Sequence, residues 1–232
     1  MADTTYHQRR DALETYFDRT AVEAWAKLTS EAPVSGVRAT VRAGRDKLRE
    51  TFLSWLPSYM GGEAVLDAGC GAGQLAFAMA ARGAHVEAVD LSPTLLDLAA
   101  ERAPKDLPGT VRFRAGDMLD ASAGPVDRVV AMDSVIHYGP EDMTAMIAAL
   151  AGRARTSVMF SFAPRTPLLT VMHAAGKLFP KSDRAPAIVP ISEQGLRRRI
   201  GAHPGLQDWR IGRTVRIDSF FYISQAMELV RR

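Results

Sequence analysis

The segment Val65-Leu66-Asp67-Ala68-Gly69-Cys70-Gly71-Ala72-Gly73 constrains this 232-residue chain more than any other. An apolar run that ends in an acid and three alternating glycines reads as a strand turning sharply into a helix. Glycine adopts positive φ without steric cost and lets backbone approach a ligand closely. Around it, Gln74 to Arg82 reads as a helix, His85 to Asp90 as a second strand, and Leu91-Ser92-Pro93 as the opening of another helix. Asp90 stands about twenty residues beyond the loop, the distance at which an acid holds ribose hydroxyls in nucleotide-type sites.

The same rhythm continues in both directions. Strands are expected near 63–68, 85–90, 110–115, 126–132 and 155–163, with helices near 73–82, 92–103 and 140–152. Alternating strands and helices imply a mostly parallel α/β sheet covered on both faces. Ser92 as N-cap with Pro93 at the first helical position is a start signal, and Pro140-Glu141-Asp142 is another. From Tyr6 to Leu56 the apolar residues recur at helical period, with Pro33 separating two helices. Beyond residue 163 the rhythm breaks into a Pro-rich insertion. A helix near 192–202 then precedes two strands, near 208–217 and 219–229, with Asp218-Ser219 as their turn signal. The expected organisation is an N-terminal helical cap over 1–58, a ligand-binding core over 59–163, a lid insertion over 164–191, and a helix and strand pair over 192–232 that complete the sheet.

A content of 47% hydrophobic residues suffices for one substantial core. The single cysteine, Cys70, excludes an intrachain disulfide and a thiolate zinc cluster, favours a reducing cytoplasmic setting, and is expected only to fill a small site. No apolar stretch approaches the ~20 residues needed to cross a bilayer. The net charge of +3 hides an asymmetry: residues 1–150 carry 15 Lys/Arg against 21 Asp/Glu, whereas residues 151–232 carry 14 against 5. That split suits a cationic cofactor at the first part and an anionic substrate at the second, and equally suits solvated surface charge.

Four landmarks in order, Asp67 to Gly73, Asp90, Asp117 in Arg114-Ala115-Gly116-Asp117-Met118, and Asp127-Arg128-Val129-Val130-Ala131-Met132-Asp133, resemble the class I S-adenosylmethionine-dependent methyltransferases, with their Rossmann-like sheet. A nicotinamide or flavin dinucleotide site is the rival. Its fingerprint is G-x-G-x-x-G, whereas this loop is G-x-G-x-G and carries an acid before the first glycine, which suits a ligand with an amino group and a sulfonium. The resemblance implies S-adenosylmethionine as cofactor, with S-adenosylhomocysteine (SAH) as product. It implies cofactor-binding roles for Asp67, Gly69, Gly71, Gly73, Asp90, Leu91, Asp117, Met118 and Asp133. Asp67 as a cap for backbone amides and Asp117 as a turn stabiliser are the alternatives.

A narrower resemblance spans nearly the whole chain. Leu13 to Trp25 with its Tyr16-Phe17 pair, Asp133-Ser134-Val135-Ile136-His137-Tyr138, Val158 to Pro167, and Ser219-Phe220-Phe221-Tyr222-Ile223-Ser224 are similar to the magnesium-protoporphyrin IX methyltransferases. Arg19-Thr20-Ala21 departs from that pattern. The resemblance implies a propionate of a magnesium porphyrin as acceptor, in (bacterio)chlorophyll synthesis, with magnesium present only within the substrate. Tyr16 and His137 would be the catalytic pair. Phe17, Tyr138, Arg165, Leu168, Met172 and Arg184 would contact the porphyrin, the arginines because their fork matches a carboxylate. A packed helix tyrosine, a satisfied loop histidine and ordinary core are the alternative readings, as is ligation of the porphyrin magnesium by His173. Expected partners are the porphyrin, the porphyrin-carrying subunit of magnesium chelatase and a membrane surface. A different hydrophobic acceptor such as a quinone precursor, or a pigment carrier that has lost catalysis, remains open. Nucleic acid is disfavoured by an aromatic content of 7% and the lack of a base-flipping element after the fourth strand.

Overall fold

The computed structural model describes residues 2–20, 36–120, 124–165 and 188–232. Its centre is a seven-stranded sheet of order β3-β2-β1-β4-β5-β7-β6. The strands are β1 (Ala64–Ala68), β2 (His85–Asp90), β3 (Thr110–Ala115), β4 (Val126–Ala131), β5 (Ala154–Phe162), β6 (Trp209–Ser219) and β7 (Tyr222–Arg231). Strands β1 to β5 pair in parallel, while β7 runs antiparallel to both β5 and β6. This is the α/β arrangement expected from the alternation, including the antiparallel C-terminal pair.

Alternate residues of each strand feed two cores. On one face Leu66, Ala68, Val129, Ala131, Val158 and Phe160 meet α1 (Ala2–Thr15), α5 (Pro140–Arg153) and α6 (Glu193–Ala202). On the other, Val65, Val86, Ala88, Val130 and Met159 meet α2 (Val37–Trp55) and α3 (Gln74–Ala80). The period of two in a strand dictates this split. Helix α4 (Pro93–Glu101) lies against β2 and β3. Ser92 caps it as expected, accepting from Leu95 N at 3.2 Å, with Pro93 in the first turn.

Two local features differ from the sequence reading. Helix α1 ends at Thr15, and Tyr16–Thr20 form a π-helical turn. The final hairpin turns at Phe220-Phe221 instead of Asp218-Ser219, which pair with Ile223 and Tyr222 inside the ladder. Phe220 takes φ +55°, a conformation with no glycine or asparagine to announce it. Pro33 lies outside the described residues, as do residues 166–187 of the 164–191 insertion. The insertion's two ends are tied together, since Arg165 N donates to Ile191 O and Ile191 N to Ala163 O, both at 3.0 Å.

Helix α2 approaches β7 closely at Gly44, where a Cβ would overlap the ring of Tyr222. Gly44→Leu introduces a better helix former but overpacks this contact, and is expected to destabilise the protein by roughly 1–3 kcal/mol, read as a lowered midpoint in urea or thermal unfolding.

Candidate active site

Topology places the site. The chain leaves β1 toward β2 and β3 on one side, then crosses to β4 on the other, so a crevice opens at the carboxyl ends of β1 and β4. A cavity lies there. Its lining comes from α1 and the π-turn (Leu13, Phe17), α2 (Arg45, Arg49), the glycine loop (Asp67, Gly69 to Ala72), the end of β2 (Asp90, Leu91), Met118, and the exit of β4 (Met132 to Ser134, His137, Tyr138).

The loop's shape is set by positive φ at Gly69, Gly71 and Gly73, at 82°, 54° and 76°. Gly69 N and Cys70 N donate to Val89 O at 2.8 and 3.0 Å. Gly71 N donates to Asp90 Oδ2 at 2.8 Å and Ser92 N to Asp90 Oδ1 at 3.0 Å. Asp90 therefore clamps the loop to the end of β2 while its remaining lone pairs stay available to ligand hydroxyls. Gly73 serves as the N-cap of α3 and does not line the cavity.

Asp67 is almost wholly buried. Burial, aided by the negative charge of Asp90, pushes its carboxyl up to about 7, against a backbone amide at Ala76 that pulls it down. Burial also raises Asp90, and amides at Ser92, Gly71 and Leu91 oppose that rise. The same burial, with both acids nearby, lifts the Cys70 thiol well above its usual range, so it is no nucleophile at neutral pH. Asp67 Oδ2, Ser134 Oγ and the Tyr138 hydroxyl are buried and without a hydrogen-bond partner among the described residues. All three belong to residues lining this one cavity. Orphaned polar groups cost about 1–3 kcal/mol each unless a ligand completes them, and this set suits a ligand with donors and a positive charge.

Asp133 sits at φ +56° with both carboxylate oxygens engaged. Oδ2 receives Arg45 at 2.7 Å and the Tyr222 hydroxyl at 2.8 Å, and Oδ1 receives Ser161 Oγ at 3.0 Å. Arg49, the second arginine of the cavity, lies 2.9 Å from Asp46 and 3.5 Å from Gln74 Oε1. His137 is buried in a 3-10 turn (Val135–His137) and meets the edge of Phe17 at 5.9 Å. Tyr16 packs edge-to-face on Phe17 at 5.2 Å but does not line the cavity.

The Asp117 carboxylate does not line the cavity either. It accepts from the Tyr6 hydroxyl at 2.6 Å, Leu119 N at 2.8 Å and Arg10 at 3.4 Å, while Tyr6 stacks on Tyr138 with centroids 5.4 Å apart. Helix α1 thus lies over the acid expected to face adenine. Arg165 is exposed and away from the cavity lining. Leu168, Met172, Arg184 and His173 lie outside the described residues.

The profile of the magnesium-protoporphyrin IX methyltransferase C-terminus matches residues 131–231, and a methyltransferase domain matches 65–156. A magnesium-protoporphyrin O-methyltransferase of Rhodobacter capsulatus is 44% identical over 96% of this chain and 97% of its own length. The chloroplastic magnesium protoporphyrin IX methyltransferase of Arabidopsis thaliana is 32% identical over 95% of this chain and 71% of its own. The chain belongs to the magnesium-protoporphyrin IX methyltransferases. A crystal structure of the Synechocystis magnesium protoporphyrin IX methyltransferase with bound SAH superposes with a TM-score of 0.83 at 30% identity, covering 96% of this chain and 99% of that one. The class I methyltransferase fold follows.

Among the described residues of this methyltransferase, the cavity's cations are Arg45 and Arg49, both of the acidic first part. Their signal was present: Arg38, Arg42, Arg45 and Arg49 recur at helical spacing on one face of α2. Tyr6 and Arg10 carried no comparable signal, because each acquires its place through contacts distant in sequence; Ser134 and Tyr222 lie in segments similar to the family, but nothing local names what they touch.

The raised Asp67 carboxyl has a definite consequence. The folded protein holds a proton that the unfolded chain releases near the ordinary value of 3.8, so ligand-free stability falls as pH rises from about 4 and levels off above about 7. Asp67→Asn is expected to raise the ligand-free melting temperature at pH 8 and leave it nearly unchanged at pH 4, while weakening cofactor binding at pH 8 in calorimetry.

Proposed function

We propose that this methyltransferase esterifies a propionate carboxylate of magnesium protoporphyrin IX, giving the monomethyl ester in (bacterio)chlorophyll synthesis. The observation that carries the mechanism is one cavity lined together by Asp67, Asp90, the glycine loop, His137, Arg45 and Arg49. S-adenosylmethionine, when bound, supplies an electrophilic methyl on a sulfonium. Asp90 and the glycine loop would hold its ribose, Leu91 and Met118 its adenine, and ionised Asp67 its ammonium group.

A propionate with a pKa near ~4.3 is already ionised at neutral pH, so no base is needed to create the nucleophile. The barrier lies in desolvating that carboxylate and holding one oxygen in line at roughly 3 Å. His137, buried against Phe17, acts as an orienting hydrogen-bond donor. Tyr16 supplies a second donor or covers the porphyrin edge. Tyr138 and Phe17 give apolar wall, and Arg45 and Arg49 give the cations a propionate needs. The chain returns from the insertion beside the site, where Val189 N donates to Ile136 O at 2.9 Å, one residue before His137.

None of the described helices is long and apolar enough to cross a membrane. So apolar an acceptor favours hand-over from the porphyrin-carrying subunit of magnesium chelatase, in the cytoplasm at the surface of the photosynthetic membrane. Phe220 and Phe221, exposed at the tip of the β6–β7 hairpin, offer an apolar contact for such docking.

Incubation with S-adenosylmethionine and magnesium protoporphyrin IX is expected to yield a porphyrin heavier by one methylene in mass spectrometry. Tyr16→Phe and His137→Ala should each lower turnover roughly tenfold to a hundredfold with cofactor affinity nearly intact by calorimetry; full turnover in both variants removes them from the mechanism. At saturating cofactor, kcat should be flat above pH 6. A rise governed by a histidine would instead indicate a phenol-type acceptor and a true base.

A further inference from the structure

We propose that Asp18 is a positioning residue that registers the turn bearing Tyr16 and Phe17 against the reaction cavity by docking it on the first turn of α4. The inference rests on the catalytic reading of that turn and of His137 given above.

Among the described residues, Asp18 Oδ1 accepts from Thr94 Oγ1 at 2.7 Å, Ser92 Oγ at 3.1 Å and Thr94 N at 3.2 Å. The start of α4 is complete only with this acceptor. Pro93 has no N–H, Leu95 N donates to Ser92 Oγ and Leu96 N to Ser92 O, both at 3.2 Å, which leaves the Thr94 amide for Asp18. A carboxylate at this end is favoured by the helix dipole as well as by the three donors.

The anchor point is specific. Ser92 is wholly buried, and its own amide donates to Asp90, the acid that clamps the glycine loop. Asp18 therefore ties the π-turn to the same short backbone segment that shapes the cofactor site. The residue before it, Phe17, lines the cavity and touches His137. The π-turn after Thr15 departs from the α-helical ladder of α1, and the Asp18 lock ties where Phe17 and Tyr16 point to the start of α4. Asp18 itself does not line the cavity and acts through its neighbours.

The test compares Asp18→Ala, Asp18→Asn, Tyr16→Phe and the Asp18→Ala/Tyr16→Phe double variant of the full chain. Asp18→Ala is expected to lower kcat at saturating cofactor by about tenfold or more, with cofactor affinity close to the parent and a modest fall in melting temperature from the lost acceptor at the start of α4. Asp18→Asn, which keeps an acceptor oxygen, restores most of kcat. The double variant is little slower than the slower single variant, because residues that act as a unit are not additive. Wild-type kcat in Asp18→Ala, whatever Tyr16→Phe does, overturns the proposal. So does a loss that Asn fails to restore and that tracks a fall in melting temperature. A slow Asp18→Ala beside a fully active Tyr16→Phe removes the Tyr16 hydroxyl from the mechanism and upholds Asp18, acting through Phe17 and His137.

Discussion

The clamp between Asp90 and the glycine loop is the interaction on which the rest of this site depends. Asp90 accepts from Gly71 N and Ser92 N, and Val89 O accepts from Gly69 N and Cys70 N. Four backbone amides are thereby turned toward the end of β2, a path open only to a chain that can take positive φ three times in five residues. The clamp also fixes its neighbours. Gly69 lets the exit of β4 pass close, since a Cβ there would overlap the side chain of Ser134. That passage brings Asp133 and His137 to the same cavity as Asp67. Burial, with the negative charge of Asp90 nearby, makes the Asp67 carboxyl hold a proton up to about pH 7.

Around this core the N-terminal elements are attached by polar locks rather than by apolar packing alone. Tyr6 and Arg10 of α1 meet Asp117, Asp18 meets the start of α4, and Arg45 of α2 joins Tyr222 of β7 on Asp133. Each lock ends on a residue at the carboxyl edge of the sheet or one step beyond it. A fold of this kind serves many acceptors, so specificity resides in what is added to it. Here the additions and the cofactor loop share hydrogen-bonded residues, and a change in one is transmitted to the other over a few bonds.

The sheet, its parallel core and the capped start of α4 were legible because their signals are local: alternating apolar residues, glycines at fixed offsets, and Ser92 before Pro93. The acids Asp67 and Asp90 were legible for the same reason, being fixed in position by the strands they end. The partners of Asp117 and Asp133 were not. Asp117 reads as a ligand-facing acid in sequence, yet its carboxylate is taken by Tyr6 and Arg10, more than a hundred residues earlier. The turn at Phe220-Phe221 was hidden as well, since its positive φ is imposed by the β6–β7 register and not by a turn-forming residue.

The sequence by itself determined the strand-to-helix turn of Val65 to Gly73, the second acid at Asp90 and hence the kind of cofactor the core can hold. Local sterics and short-range hydrogen bonds suffice for that, and both are encoded within a few residues. Tertiary structure alone decided which cations and rings face the loop. Arg45, Phe17 and His137 converge only because α2, the π-turn and the exit of β4 meet at the sheet's crossover point. That convergence depends on packing and long-range polar locks whose partners no local pattern names. The glycine loop thus marks where the cavity forms, and the fold supplies what surrounds it.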